Sequence, residues 1–155
     1  TALFGDGCVS YIVGDEGDCK LLNSMEYTWK NSLSLMGWGV EDDGLSVIFD
    51  KVIPEFITKE LPGVLDKFSL KNIKGYVLHS GGMRIIEAYK KILNNNKTID
   101  ISKNILSDYG NVSSVSVLLV LIEMIKKKYG GNLLMCALGP GFTAGLCGVK
   151  INSND

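Results

Sequence analysis

One histidine, His79, and one arginine, Arg84, stand in a chain of 155 residues, and these scarcities exclude several functions. A single imidazole cannot build a two-histidine metal centre. The four cysteines, Cys8, Cys19, Cys136 and Cys147, fit none of the close spacings of zinc or redox sites, so no metal is expected and the thiols are expected to be reduced and mostly in the core. No run of 18 apolar residues and no basic-then-apolar leader occurs, so neither a membrane span nor a secretory signal is predicted, and a cytoplasmic location is the default expectation. A formal net charge of −1, with Lys126 to Lys128 as the densest basic run, supplies no field for nucleic acid, and that run reads as the solvated C-terminal end of a helix. What remains is ordinary: 46% hydrophobic and 21% charged residues, enough for one domain with a real core.

β-rich runs at 8–14 and 21–29, separated by Gly14-Asp15-Glu16-Gly17-Asp18, predict an antiparallel pair joined by a solvated acidic turn. A further strand is expected over Leu45–Phe49. An amphipathic helix fits 52–68, with Pro62-Gly63 disturbing its end. A short strand over 74–78 delivers His79 at its C-terminal end, and Gly81-Gly82 opens a helix reaching about Leu93. Strand, glycine turn and helix form the place where open α/β sheets put ligands. Asn94 to Asn96 reads as a loop, and a shorter helix over 102–108 leads to Tyr109-Gly110-Asn111. The run Val112–Tyr129 is apolar through its first fourteen residues apart from small serines, which predicts a helix buried nearly all round. Strands over 132–138 and 142–151, joined by Gly139-Pro140-Gly141, close the chain before a tail, 152–155, expected to fray. The sum is a mixed α/β sheet of five strands with helices on both faces.

Two segments carry the chemistry: His79-Ser80-Gly81-Gly82 and Tyr109-Gly110-Asn111-Val112-Ser113-Ser114, their imidazole and carboxamide 32 positions apart. Both groups donate hydrogen bonds, and the Asn amide does so without titrating. Such a pair suits a thioester carbonyl and the enolate derived from it. With Ala2-Leu3-Phe4-Gly5-Asp6-Gly7 and Gly139-Pro140-Gly141-Phe142, these segments resemble the C-terminal half of type III polyketide synthases, the chalcone synthase-like enzymes, over nearly the whole chain (1–151).

The resemblance implies the C-terminal half of a thiolase-like fold, in which two similar halves pack around a shared layer of central helices. It implies acyl-CoA and malonyl-CoA as substrates, with no cofactor, and His79 and Asn111 as catalytic residues acting with a cysteine of the other half. It places Phe4 as an aromatic gatekeeper, Gly5 and Asp6 in the same motif with Asp6 tethering backbone donors, Ser113 along the cavity, and Gly139, Pro140 and Gly141 in its wall. Gly81 and Gly82 form a turn able to receive an anion. Arg84 is assigned either to the phosphate end of coenzyme A or to a pairing with Glu87. Two departures stand out. Val47 occupies the position of a second aromatic gatekeeper, which widens the expected cavity, and Ser80 replaces a customary proline, which leaves the turn looser.

Because Thr1 runs straight into the Ala2–Gly7 motif, the chain is expected to be a piece of a larger protein, inactive alone and partnered by the N-terminal half. The apolar helix after Asn111 needs cover, which predicts a homodimer or larger assembly. Two other readings remain. One is a β-ketoacyl carrier-protein synthase III-like enzyme, which places Gln-Ala-Asn after its histidine where this chain has Ser-Gly-Gly. The other is a noncatalytic thiolase-half interaction module.

Overall fold

The computed structural model describes residues 3–152; Thr1, Ala2 and the tail beyond Asn152 lie outside the described residues. Ten elements follow in order: β1 (Cys19–Thr28), β2 (Met36–Glu41), β3 (Gly44–Phe49), α1 (Ile53–Leu65), β4 (Ile73–Leu78), α2 (Met83–Ile92), α3 (Asn96–Tyr109), α4 (Val115–Lys126), β5 (Gly131–Gly139) and β6 (Thr143–Ile151). The main sheet is mixed. Its order is β1-β6-β5-β4, with β4 parallel to β5 and the other pairs antiparallel, while β2 and β3 form a separate hairpin.

Alternation along the central strands assigns the two faces. Leu134, Cys136 and Leu138 of β5 join the cluster built with α1 and α2, whereas Leu133 and Met135 join the cluster built with α4. Helix α3 lies beside β4 and serves both clusters, through Ile99 on one side and Ile101 and Ile105 on the other. Helices therefore cover both faces, as the sequence pattern requires.

Local chemistry explains several boundaries. Asp50 Oδ1 accepts the Val52 N–H at 2.9 Å just before α1, and Pro54 occupies its first turn, where a missing N–H costs nothing. Pro62 is tolerated near the end of α1, which stops at Leu65, short of the expected Phe68. Asn95 caps α3: its Oδ1 accepts from the Thr98 N–H at 3.4 Å, and its Nδ2 donates to the Lys74 carbonyl at 2.7 Å. This cap begins the helix at Asn96, so α3 is longer than the predicted 102–108 and the asparagine loop is shorter.

Four further expectations are corrected. Residues 8–14 form no strand: the run is irregular, Ile12 is 99% exposed, and β1 takes β6 as its partner instead. Strand propensity there has no ladder to join among the described residues. The sheet consequently holds four strands, not five, because Leu45–Phe49 pairs with β2 outside it. Helix α4 is not enclosed all round; it packs toward α3, β4 and β5 and leaves Ile122 exposed and Val117 to Leu119 half-buried. Of the four thiols only Cys136 is buried, while Cys19 and Cys147 are half-buried and Cys8 is exposed. Of the tail expected to fray, Asn152 alone is described, and its backbone N–H donates to the Asp18 carbonyl at 3.3 Å. The lysine run does end α4 as anticipated, with Lys127 at the cap and Lys127 Nζ 3.0 Å from Glu123.

Candidate functional site

His79 leaves the end of β4 tied to the sheet, its N–H donating to the Cys136 carbonyl at 2.9 Å. The chain then turns through Ser80 and Gly81, and Gly82, at φ +156°, caps α2. Gly81 lies directly under the imidazole: a Cβ there would meet Cδ2 and Nε2 of His79 at 3.2 Å each. The absence of a side chain lets the ring fold over the turn. Burial lowers the His79 pKa from the ordinary 6.5, with a backbone contact at Ser113 pulling the other way, so the ring is neutral at neutral pH.

Asn111 arrives from the other side. Helix α3 ends at Gly110, φ +72°, whose N–H closes on the Leu106 carbonyl at 2.9 Å. The Asn111 backbone then forms a parallel bridge with Phe4, donating to the Leu3 carbonyl at 2.7 Å and accepting from the Gly5 N–H at 3.1 Å. Its side chain is fixed from both ends. Oδ1 accepts the Ser113 N–H at 2.9 Å, and Nδ2 donates to the Gly81 carbonyl at 3.1 Å. Both partners have unambiguous polarity, so the carboxamide orientation follows, and the second Nδ2 hydrogen has no partner among the described residues. Asn111 is only 7% exposed.

The two groups meet at a cleft of about 610 Å³. Phe4, Val47, Gly81, Ser113, Gly139 and Pro140 join His79 and Asn111 in lining it, so most of the sequence-predicted residues converge. The Gly139-Pro140-Gly141 turn is held from below. Ser32 Oγ accepts the Phe142 N–H at 2.7 Å and donates to the Trp29 carbonyl at 2.7 Å, and the rings of Trp29 and Phe142 stack with centroids 5.7 Å apart.

Some expected residues lie elsewhere. Arg84 lines a different groove, of about 460 Å³, between α1 and α2, in company with Glu55, Glu87 and Lys91. Helical phase is the reason: positions 84, 87 and 91 share the stripe facing α1, while Ile85 is the residue that turns toward the His79 cleft. No ion pair joins Arg84 to Glu87 among the described residues. Asp6 is exposed and makes no side-chain hydrogen bond among the described residues, so it tethers no backbone donor there; Gly5 supplies that link through its own N–H. Gly82 and Gly141 shape the turns without lining the cleft.

The hairpin β2–β3 forms a wall of which the sequence indicated Val47 alone. Its register puts Met36 opposite Phe49 and Trp38 opposite Val47 on one face, and all four line the cleft. The alternation of Met36, Trp38 and Val40 is a period-2 signal, masked by glycines at 37 and 39 that lower strand propensity. No cysteine of the described residues lines the cleft, and burial pushes the Cys136 thiol up to about 12, which removes it as a nucleophile.

The fold is that of half a thiolase-like domain. It superposes on the C-terminal type III polyketide synthase domain of Steely1, a type I/III hybrid from Dictyostelium, with a TM-score of 0.78, covering 86% of this chain and 40% of that one at 23% identity. It also matches PKS-I from the brown alga Ectocarpus siliculosus, with a TM-score of 0.75, covering 86% of this chain and 40% of that one at 21% identity. Among curated proteins, a putative chalcone synthase of Bacillus subtilis is 32% identical over 94% of this chain and 46% of its own length. A phloroglucinol synthase of Pseudomonas fluorescens is 27% identical over 92% of this chain and 44% of its own. The chain thus spans less than half the length of these curated relatives. Residues 66–151 match the C-terminal domain of 3-oxoacyl-[acyl-carrier-protein] synthase III, and the chain belongs to that family, the C-terminal half of the thiolase fold, with type III polyketide synthases among its relatives.

Proposed function

We propose that this chain is the C-terminal part of a type III polyketide synthase that extends an acyl-CoA starter with malonyl-CoA by decarboxylative Claisen condensation. The observation that carries this reading is the Asn111 carboxamide, locked by Ser113 and Gly81 with one N–H uncommitted among the described residues, in the same cleft as the neutral His79 imidazole. Two neutral donors in one cleft can polarise a thioester carbonyl without supplying a base. When the malonyl C–C bond breaks, carbon dioxide departs and its bonding pair moves into the thioester as an enolate, whose oxygen takes these two hydrogen bonds. The enolate carbon then attacks the starter thioester on a cysteine of the N-terminal half, and the cysteine thiolate leaves. The half-buried apolar flank of α4 and the exposed run 8–14 are surfaces for that half and for a dimer partner. Val47 in place of an aromatic ring widens the cavity, and the reaction is set in the cytoplasm.

Incubation of the purified chain with starter acyl-CoA and malonyl-CoA, followed by mass spectrometry, tests the division of labour. No polyketide is expected from these 155 residues, and extended products are expected from the polypeptide carrying both halves. Sustained product from the isolated chain overturns the need for the second half. The family match itself favours one other reading, a carrier-protein-dependent synthase III. Malonyl-CoA turnover without any acyl carrier protein separates the two.

A further inference from the structure

Ser80 has no catalytic atom to offer the cleft. It is fully buried, and its Oγ donates to the Ser102 carbonyl in α3 at 2.8 Å. We propose that Ser80 is a positioning residue, fastening the His79 turn to α3 so that the imidazole and the Asn111 carboxamide keep a fixed relation.

From Ser102 the helix runs unbroken to Tyr109, and the Gly110 N–H ties the exit back to Leu106. Asn111 therefore sits at a determined distance from Ser102. At the far end Asn111 Nδ2 returns to the turn by donating to the Gly81 carbonyl at 3.1 Å. The two hydrogen bonds, Ser80 to Ser102 and Asn111 to Gly81, close a frame whose rigid side is the last two turns of α3. Without the first bond, the side-chain ties left between the turn and the exit of α3 among the described residues are the His79 ring's contact with the Ser113 backbone and the Asn111 carboxamide, the two groups that must aim donors into the cleft. A second carbonyl lone pair on Ser102 accepts the serine without breaking the helical ladder. His79 meanwhile is anchored to the sheet only through its backbone N–H on Cys136. Loosening the turn lets the ring rise from Gly81 toward water.

The sole imidazole of the chain gives a direct reading, because its Hε1 resonance titrates without overlap in a tag-free sample. The groups that face the ring are the Ser113 backbone and Gly81, and Glu26 of β1 is the one carboxylate lining the same cleft; none of these is altered by changes at Ser80. Ser80→Ala is expected to raise the His79 midpoint toward 6.5 as the ring regains hydration, while Ser80→Thr, which keeps the hydroxyl, holds the wild-type midpoint. A serine that only added stability would lower the denaturation midpoint without moving the titration of the folded state. Should Ser80→Ala fail to fold, Ser80→Cys, similar in volume and a weak donor, is read against the same two outcomes. An unchanged His79 midpoint in the folded variant, or a Ser80→Thr shift as large as that of Ser80→Ala, overturns the proposal. The titration needs no substrate, so its result stands apart from the condensing activity proposed above.

Discussion

Replacing Gly5 by alanine attacks the site without touching either donor. A Cβ at Gly5 would lie 2.1 Å from the Tyr109 carbonyl oxygen, a backbone atom that cannot swing aside. Relief requires the Leu3–Gly5 segment and the end of α3 to part by about 1 Å, since Cβ contacts below 3.0 Å do not occur. The two bonds across that seam, Asn111 N–H to Leu3 at 2.7 Å and Gly5 N–H to Asn111 at 3.1 Å, would both stretch beyond 3.5 Å. At about 1 kcal/mol each, the loss is about 2 kcal/mol. That figure is also close to a ceiling, because the segment before Gly7 is exposed and can lift away once the seam opens. Urea denaturation of Gly5→Ala should therefore show this loss, whereas Gly14→Ala, where an added Cβ meets nothing within 4 Å, should stay within about 0.5 kcal/mol of wild type. Amide exchange locates the damage: the Asn111 N–H should lose protection while β5 and β6 keep theirs. A Gly5→Ala chain as stable as Gly14→Ala, with Asn111 still protected, refutes the reasoning.

Since burial holds His79 below its unfolded value of 6.5, the unfolded chain binds more protons in that window, so stability is fully present above 6.5 and falls as pH drops through it, levelling off below the folded pKa. Urea midpoints from pH 5 to pH 8 should show this slope in wild type and less of it in His79→Gln; equal slopes would remove the buried neutral imidazole as its source. Ser32→Ala strands the buried Phe142 N–H and frees the Trp29 carbonyl, so thermal or urea unfolding should report a loss of about 2 kcal/mol, and a neutral substitution would show that the glycine-proline turn is held some other way.

How much of this was legible in the sequence depended on how local the determining interaction is. His79 and Asn111 each sit beside glycines at the end of an element, and the turns those glycines make are set within a few residues, so their placement in one cleft was legible, whereas their proposed role came from the longer motif resemblance. Trp38 could not be read as a wall, because its role depends on the pairing with Val47 and on the hairpin facing the same cleft as residues of β5 and α1, which is long-range information. Residues 8–14 have strand composition, yet a strand exists only with a partner, and β1 already occupies the edge beside β6. Arg84 had been left open between the coenzyme A end and Glu87, and helical phase puts it in the groove with Glu87 while its neighbour Ile85 faces the cleft. Helix α4 was correctly seen as apolar, but burial depends on what packs against it, and only one side is covered among the described residues.

The central claim is that His79 and Asn111 together receive the negative charge of a thioester enolate. The most direct measurement is the rate of malonyl-CoA decarboxylation, followed as acetyl-CoA formation without a starter, in the polypeptide that carries both halves. His79→Ala and Asn111→Ala should each lower that rate by about 100-fold or more, with the double variant falling little further because the donors act as one unit. Decarboxylation within about twofold of wild type in either single variant would contradict the account.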